Sequence, residues 1–232
     1  MQKKNFKFAL EKTAPISFGF IFLGIAFGVL MNEAGYNFVW SFLAGVFIYA
    51  GSMQFVMVSL LASGASLLTV ALMTLLINSR HIFYGLGLVE HFKSMGKKYP
   101  YMVFSLTDET FSILTATEYP EEIDKKKASF LIAIFCHIYW VVGCTLGGLL
   151  GPLIPFDARG IEFSMTALFL VLLINGLKEK QARIPALIGA LSALLFLLLL
   201  GPEKFLLPSL TLAVFLLEVF KKNIEKTGEG KV

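Results

Sequence analysis

The apolar residues of this chain come in long blocks, not in stripes. Eight stretches of roughly 16 to 25 residues are almost continuously hydrophobic, the length that crosses a ~30 Å hydrocarbon core at 1.5 Å per residue. Hydrophobic residues make up 56% of the chain and charged ones 16%, with a mean hydropathy of +0.75. A soluble domain carries about 25% charged residues. An outer-membrane barrel would instead show alternating strands of about ten residues. The expected fold class is all-α: a polytopic transmembrane helix bundle of seven to eight hydrophobic segments, with room for broken helices.

The segments run from about Pro15 to Met31, Phe38 to Ala62, Ser66 to Leu88, Tyr99 to Tyr119, Ala128 to Leu150, Phe163 to Leu177, Ile184 to Leu200 and Phe205 to Phe220. They form one transmembrane domain over residues 13–220, between a 1–12 tail and a 221–232 tail. Pro15 suits a first helical turn, where its missing N–H costs little, and segment one reads as an uncleaved span. Gly24 and Gly28 in segment one, and Gly143, Gly147 and Gly151 in segment five, have the four-residue spacing that lets helix backbones approach closely.

Charge placement orients the chain. Lys3, Lys4, Lys7 and Lys12 crowd one end, and Lys221, Lys222, Lys226 and Lys231 the other. The positive-inside rule then puts both termini in the cytoplasm. Eight crossings would leave Lys93, Lys97 and Lys98 outside, against that rule. A re-entrant segment four brings those lysines inside only if segment two or three also changes the parity. Segment four is therefore open between spanning and re-entrant.

Several functions are disfavoured. The net charge of +4 sits on tails and loops of a membrane protein, so no nucleic acid is expected. Cys136 and Cys144 are two helical turns apart, about 12 Å, too far for a disulfide. His81, His91 and His137 lie in different segments without metal-ligand spacing or a paired acid motif. No cofactor, no metal and no enzymatic activity are expected.

The informative residues are polar ones at membrane depth. Segment three carries Asn78-Ser79-Arg80-His81. A guanidinium facing lipid at mid-depth costs at least about 2.5–3.5 kcal/mol, so Arg80 must snorkel or face a polar interior. Segment four carries Asp108 and Glu109 at its centre, and Ser105, Asp108, Ser112 and Thr115 recur at helical spacing. In segment two, Gly51 and Ser52 weaken a helix and Gln54 brings an amide that needs partners. That stretch is either a broken helix of the transporter kind or a helix packed through small residues. His137 is expected to be a hydrogen-bonded structural histidine.

These motifs resemble the AzlC family. The resemblance rests on Tyr49-Ala50-Gly51-Ser52-Met53-Gln54-Phe55, on Asn78-Ser79-Arg80-His81-Ile82-Phe83-Tyr84, on Thr107-Asp108-Glu109, and on Tyr139-Trp140-Val141-Val142-Gly143 before a glycine-rich helix. It spans residues 13 to 220. It implies a branched-chain amino acid exporter large subunit in a bacterial inner membrane, working with a small AzlD-type membrane subunit. The expected translocation residues are Gly51, Ser52, Gln54, Asn78, Arg80, His81, Asp108 and Glu109. Arg80 can offer a bidentate contact to a carboxylate, and Asp108 or Glu109 can accept an ammonium. The competing expectation is that Arg80 and Asp108 form only an ion pair that fixes helix register.

Overall fold

A computed structural model describes residues 2–153, 180–202 and 205–229, together with Leu170, Leu173, Ile174 and Leu177. Segment six therefore falls largely outside the described residues. No strand occurs among the described residues, and the helices are α1 Gln2–Glu33, α2 Phe38–Phe47, α3 Gly51–Ala62, α4 Leu67–Asn78, α5 Arg80–Lys93, α6 Tyr99–Phe104, α7 Asp108–Ala116, α8 Lys125–Leu150, α9 Lys180–Leu200 and α10 Leu206–Glu229. Residues 3–33, 125–153 and 183–200 are long and apolar enough to cross a membrane, and the broken helix 67–93 is a fourth candidate if counted as one span. The all-helical class stands. By length and composition, the described crossings number three or four because segments two and four are each divided into two short helices.

The chain forms two compact units, residues 1–71 with 81–165 and residues 72–80 with 166–232. The second contains the hairpin of α9 and α10, turned at Gly201 with a φ of +76°. Ser192, Ser209 and Ala213 are buried there, while Leu187, Leu191, Leu194 and Leu198 are exposed, as on a lipid-facing surface.

The first unit is organised by the crossing of α1 and α8. A Cβ on Gly143 would lie 2.6 Å from the Ile21 carbonyl oxygen, and one on Gly24 would lie 2.9 Å from the Cys144 nitrogen. One on Gly28 would meet the Cys144 carbonyl oxygen, and one on Gly147 the Ile25 carbonyl oxygen. Backbone thus touches backbone, as the glycine spacing predicts. Gly148 extends the close approach to α2, where its Cβ would lie 2.7 Å from Phe38 Cα.

Pro15 lies inside α1, not in its first turn. The expectation failed because tertiary contacts hold the earlier turns helical. Asn5 Oδ1 accepts the Asp124 N–H at 3.1 Å, Lys4 pairs with Glu122 at 2.6 Å, and Phe6 meets Phe135 edge-to-face at 5.1 Å.

The same contacts define a basic end. Lys126 donates to the Ser94 carbonyl at 2.8 Å, and Lys98 lies 4.3 Å over the Phe130 ring. The start of α1, the turn at 94–98 and the start of α8 therefore share one end of the unit. Tyr119 is at this end too, with its hydroxyl 3.1 Å from Ser129 Oγ. Between Lys98 and Tyr119 the chain reaches Phe104, whose ring lies 5.6 Å from that of His137, midway along α8. Segment four therefore enters and returns at the same end, with its tip at Ser105–Thr107. Lys93, Lys97 and Lys98 therefore lie at or next to the basic end of the first unit.

Candidate functional site

Two chain interruptions meet beside the middle of α8. In the first, α2 stops at Phe47 and α3 starts at Gly51. Tyr49 takes a φ of +43°, rare for a bulky residue, and costs about 1–2 kcal/mol that its surroundings must offset. Gln54 supplies part of the offset. Its Oε1 accepts the Ala50 N–H at 3.1 Å and the Trp140 indole N–H at 2.9 Å, closing the open start of α3 against α8. Both partners are donors, which fixes the amide orientation. Gln54 is fully buried, and its Nε2 finds no partner among the described residues.

In the second interruption, α6 ends at Phe104 and α7 begins at Asp108. Thr107 Oγ1 accepts the Thr110 N–H at 3.3 Å, an N-cap. Asp108 and Glu109 occupy the first turn of α7, where the helix dipole favours carboxylates. The polar stripe expected through Ser105, Asp108 and Ser112 is thus divided, because Ser105 belongs to the turn.

His137 joins the two interruptions. Its Nε2 lies 3.2 Å from the Gly45 carbonyl of α2, which only accepts, so Nε2 carries the hydrogen of that bond. Nδ1 shares a hydrogen bond of 3.1 Å with the Tyr101 hydroxyl of α6. The rings of Tyr49 and Phe104 lie 4.3 and 5.6 Å from the imidazole. The expected structural histidine is therefore hydrogen-bonded through both nitrogens, and the residues it joins flank the two breaks.

An apolar cavity of about 250 Å³ opens between α5 and α6. Leu86, Val89, Phe92 and Val103 line it, Leu106 brings it to the tip of the re-entrant pair, and His81 stands on its wall. The His81 ring also meets Tyr84 edge-on at 5.6 Å.

The expected site residues are distributed over these features. Gly51 and Ser52 open α3, and a Cβ on Gly51 would meet the Trp140 ring at 3.6 Å. Gln54 holds the first break, Asp108 and Glu109 follow the second, and His81 lines the cavity. Asn78 closes α4 and Arg80 opens α5, both in the second unit, with Ser79 between the helices. Sequence reasoning left out Trp140, Tyr101 and Tyr49 from the site. Trp140 stood in a quoted motif, and a buried indole N–H needs an acceptor, so its pairing with a segment-two amide had a signal.

The family model described as AzlC protein matches residues 15–154. The chain is 34% identical over 221 residues to the branched-chain amino acid transport protein AzlC of Bacillus subtilis, covering 95% of this chain and 87% of that one. It is 40% identical over 199 residues to an uncharacterized membrane protein of Haemophilus influenzae, covering 85% and 82%. It is 38% identical over 222 residues to an uncharacterized membrane protein of Helicobacter pylori strain 26695, covering 96% and 97%. No solved structure matches the chain.

Proposed function

Because the chain belongs to the AzlC family, we propose that it exports branched-chain amino acids across the bacterial inner membrane together with a small AzlD-type subunit. The observation that carries the reading is the apolar cavity ending at Leu106, in the break between α6 and α7. An aliphatic side chain gains by leaving water for such a cavity. The charged ends of the same amino acid need polar groups, which interrupted helices supply through free backbone and helix termini.

In this reading the pathway uses Gly51, Ser52, Gln54, Asn78, Arg80, His81, Asp108 and Glu109. Arg80 presents parallel N–H donors suited to a carboxylate. Asp108 and Glu109 suit an ammonium. Gln54 offers a buried amide without charge. The basic end, with Lys3, Lys98 and Lys126, faces the cytoplasm, and both tails lie there.

The test is flux of labelled leucine, isoleucine and valine in proteoliposomes, with and without the small subunit and with and without a proton gradient. Counterflow of these three, competed by one another and not by lysine or glutamate, is the expected result. Arg80→Gln and Asp108→Asn chains that insert normally should each transport at least about tenfold more slowly, an effect of about 1.4 kcal/mol. Undiminished transport in both would remove these two residues from the pathway. Absence of flux for all three substrates with the partner present would remove the function.

A further inference from the structure

The basic end of the first unit carries a second cavity, of about 580 Å³, separate in its lining from the one beside His81. Lys3, Lys98 and Lys127 line it, and no carboxylate is among its described lining residues. Lys98 lies over the Phe130 ring at 4.3 Å, and Lys127 is shared with Asp124 at 3.1 Å. Phe6, Phe130 and Leu131 give the same cavity an apolar wall. Asn5 also lines it and is 2% exposed. Its Oδ1 is held by the Asp124 N–H, and its Nδ2 has no hydrogen-bond partner among the described residues. A buried amide with two unused N–H donors is expensive to leave unpaired.

We infer that this cavity binds the phosphate of an anionic phospholipid. Three cations and an unused amide donor match phosphate oxygens, which only accept. The apolar wall matches the glycerol and the upper acyl chain. A free anion would leave Phe6, 51% exposed, in water. The cavity also lies where α1 and α8 begin, and both are long and apolar enough to cross a membrane, so the headgroup layer falls at that level. Basic pockets between spanning helices hold lipid headgroups in this way. The inference rests on the membrane placement of α1 and α8 and not on the transported substrate.

The experiment uses the full chain in detergent, titrated with phosphatidylglycerol, phosphatidylcholine or inorganic phosphate. Lipid adducts are read by native mass spectrometry and the thermal midpoint by fluorescence. Phosphatidylglycerol should bind at least about tenfold more tightly than phosphatidylcholine and raise the midpoint, with each lysine contributing as for a cation near a charged headgroup. The double variant Lys3→Gln/Lys98→Gln should lose that preference. So should Asn5→Asp, which keeps the acceptor for Asp124 but replaces the donors with negative charge. Lys7→Gln/Lys12→Gln removes the same charge elsewhere on α1 and should keep the preference. Equal binding of the two lipids, equal loss in the Lys7/Lys12 variant, or an equal midpoint shift with inorganic phosphate alone would each overturn the inference.

Discussion

Trp140 and Gln54, 86 positions apart, share one hydrogen bond of 2.9 Å, and the same Gln54 oxygen closes the α3 start at Ala50. A single amide thus ties the break in segment two to the wall of α8. Trp140→Phe keeps an aromatic ring there but removes one donor. It should destabilise the protein by about 1 kcal/mol, the net value of one hydrogen bond. Gln54→Leu leaves the buried Trp140 N–H and the part-buried Ala50 N–H without an acceptor while also removing the partnerless Gln54 Nε2, and should cost about 1–3 kcal/mol net. Thermal midpoints in one detergent give the order. A Gln54→Leu chain as stable as wild type would show that the amide is not what holds the break.

The α1–α8 crossing makes a sharper contrast. Gly147→Ala places a methyl against the Ile25 carbonyl, where backbone must move. The expected loss is about 1–3 kcal/mol or more. Gly19→Ala, on the same α1, meets nothing within 4 Å and should gain up to about 1 kcal/mol from helix propensity. Equal midpoints for the two variants would count against the crossing.

This crossing is legible in the sequence because glycine spacing reports backbone approach directly. Gly51 and Ser52 weaken a helix just where α3 begins, but the sequence left a broken helix and a helix packed through small residues both open there. The left-handed turn at Tyr49 was invisible, because nothing in a tyrosine favours positive φ. The second break had a readable signal. Thr107 followed by Asp108 and Glu109 is a helix-start pattern, but the helical spacing of Ser105, Asp108, Ser112 and Thr115 runs across it and suggests one unbroken face. The fold of the first turns of α1 depends on Asn5, Lys4 and Phe6 meeting residues more than a hundred positions away, which no local pattern reports. The sequence also named Gln54 and His81, residues that the structure sets at the break and on the cavity wall, without showing that Trp140 and Leu106 accompany them.

The shared basic end predicts sidedness. Lys97→Cys and Glu121→Cys should react with an impermeant thiol reagent from the same side of the membrane as Lys3→Cys. Glu33→Cys, at the far end of α1, should react from the opposite side. Cys136 and Cys144 are buried, so background labelling should be low. Labelling of residues 97 and 121 from opposite sides would mean that segment four crosses.

Acid should loosen the entry to α8. Asp124 accepts the Lys127 N–H at 3.1 Å and pairs with the Lys127 ammonium at 3.1 Å, and these contacts hold its carboxyl below the ordinary range. Glu122 is shifted the same way by Lys4 but is fully exposed, so its share is screened. For a carboxylate depressed in the folded state, the stabilisation is complete above the unfolded pKa of about 3.9. It fades as the pH falls through the lower folded value. Asp124→Ala should therefore cost about 1 kcal/mol near neutral pH, the usual value of an N-cap. The gap from wild type should shrink in acid, while Asp124→Asn should keep a cap and lose the pH dependence. Thermal midpoints measured from about pH 6 down to about pH 2 cross the unfolded value of about 3.9 and follow the fall below it. A gap between wild type and Asp124→Ala that stays constant across that range would show that the carboxylate charge contributes nothing there.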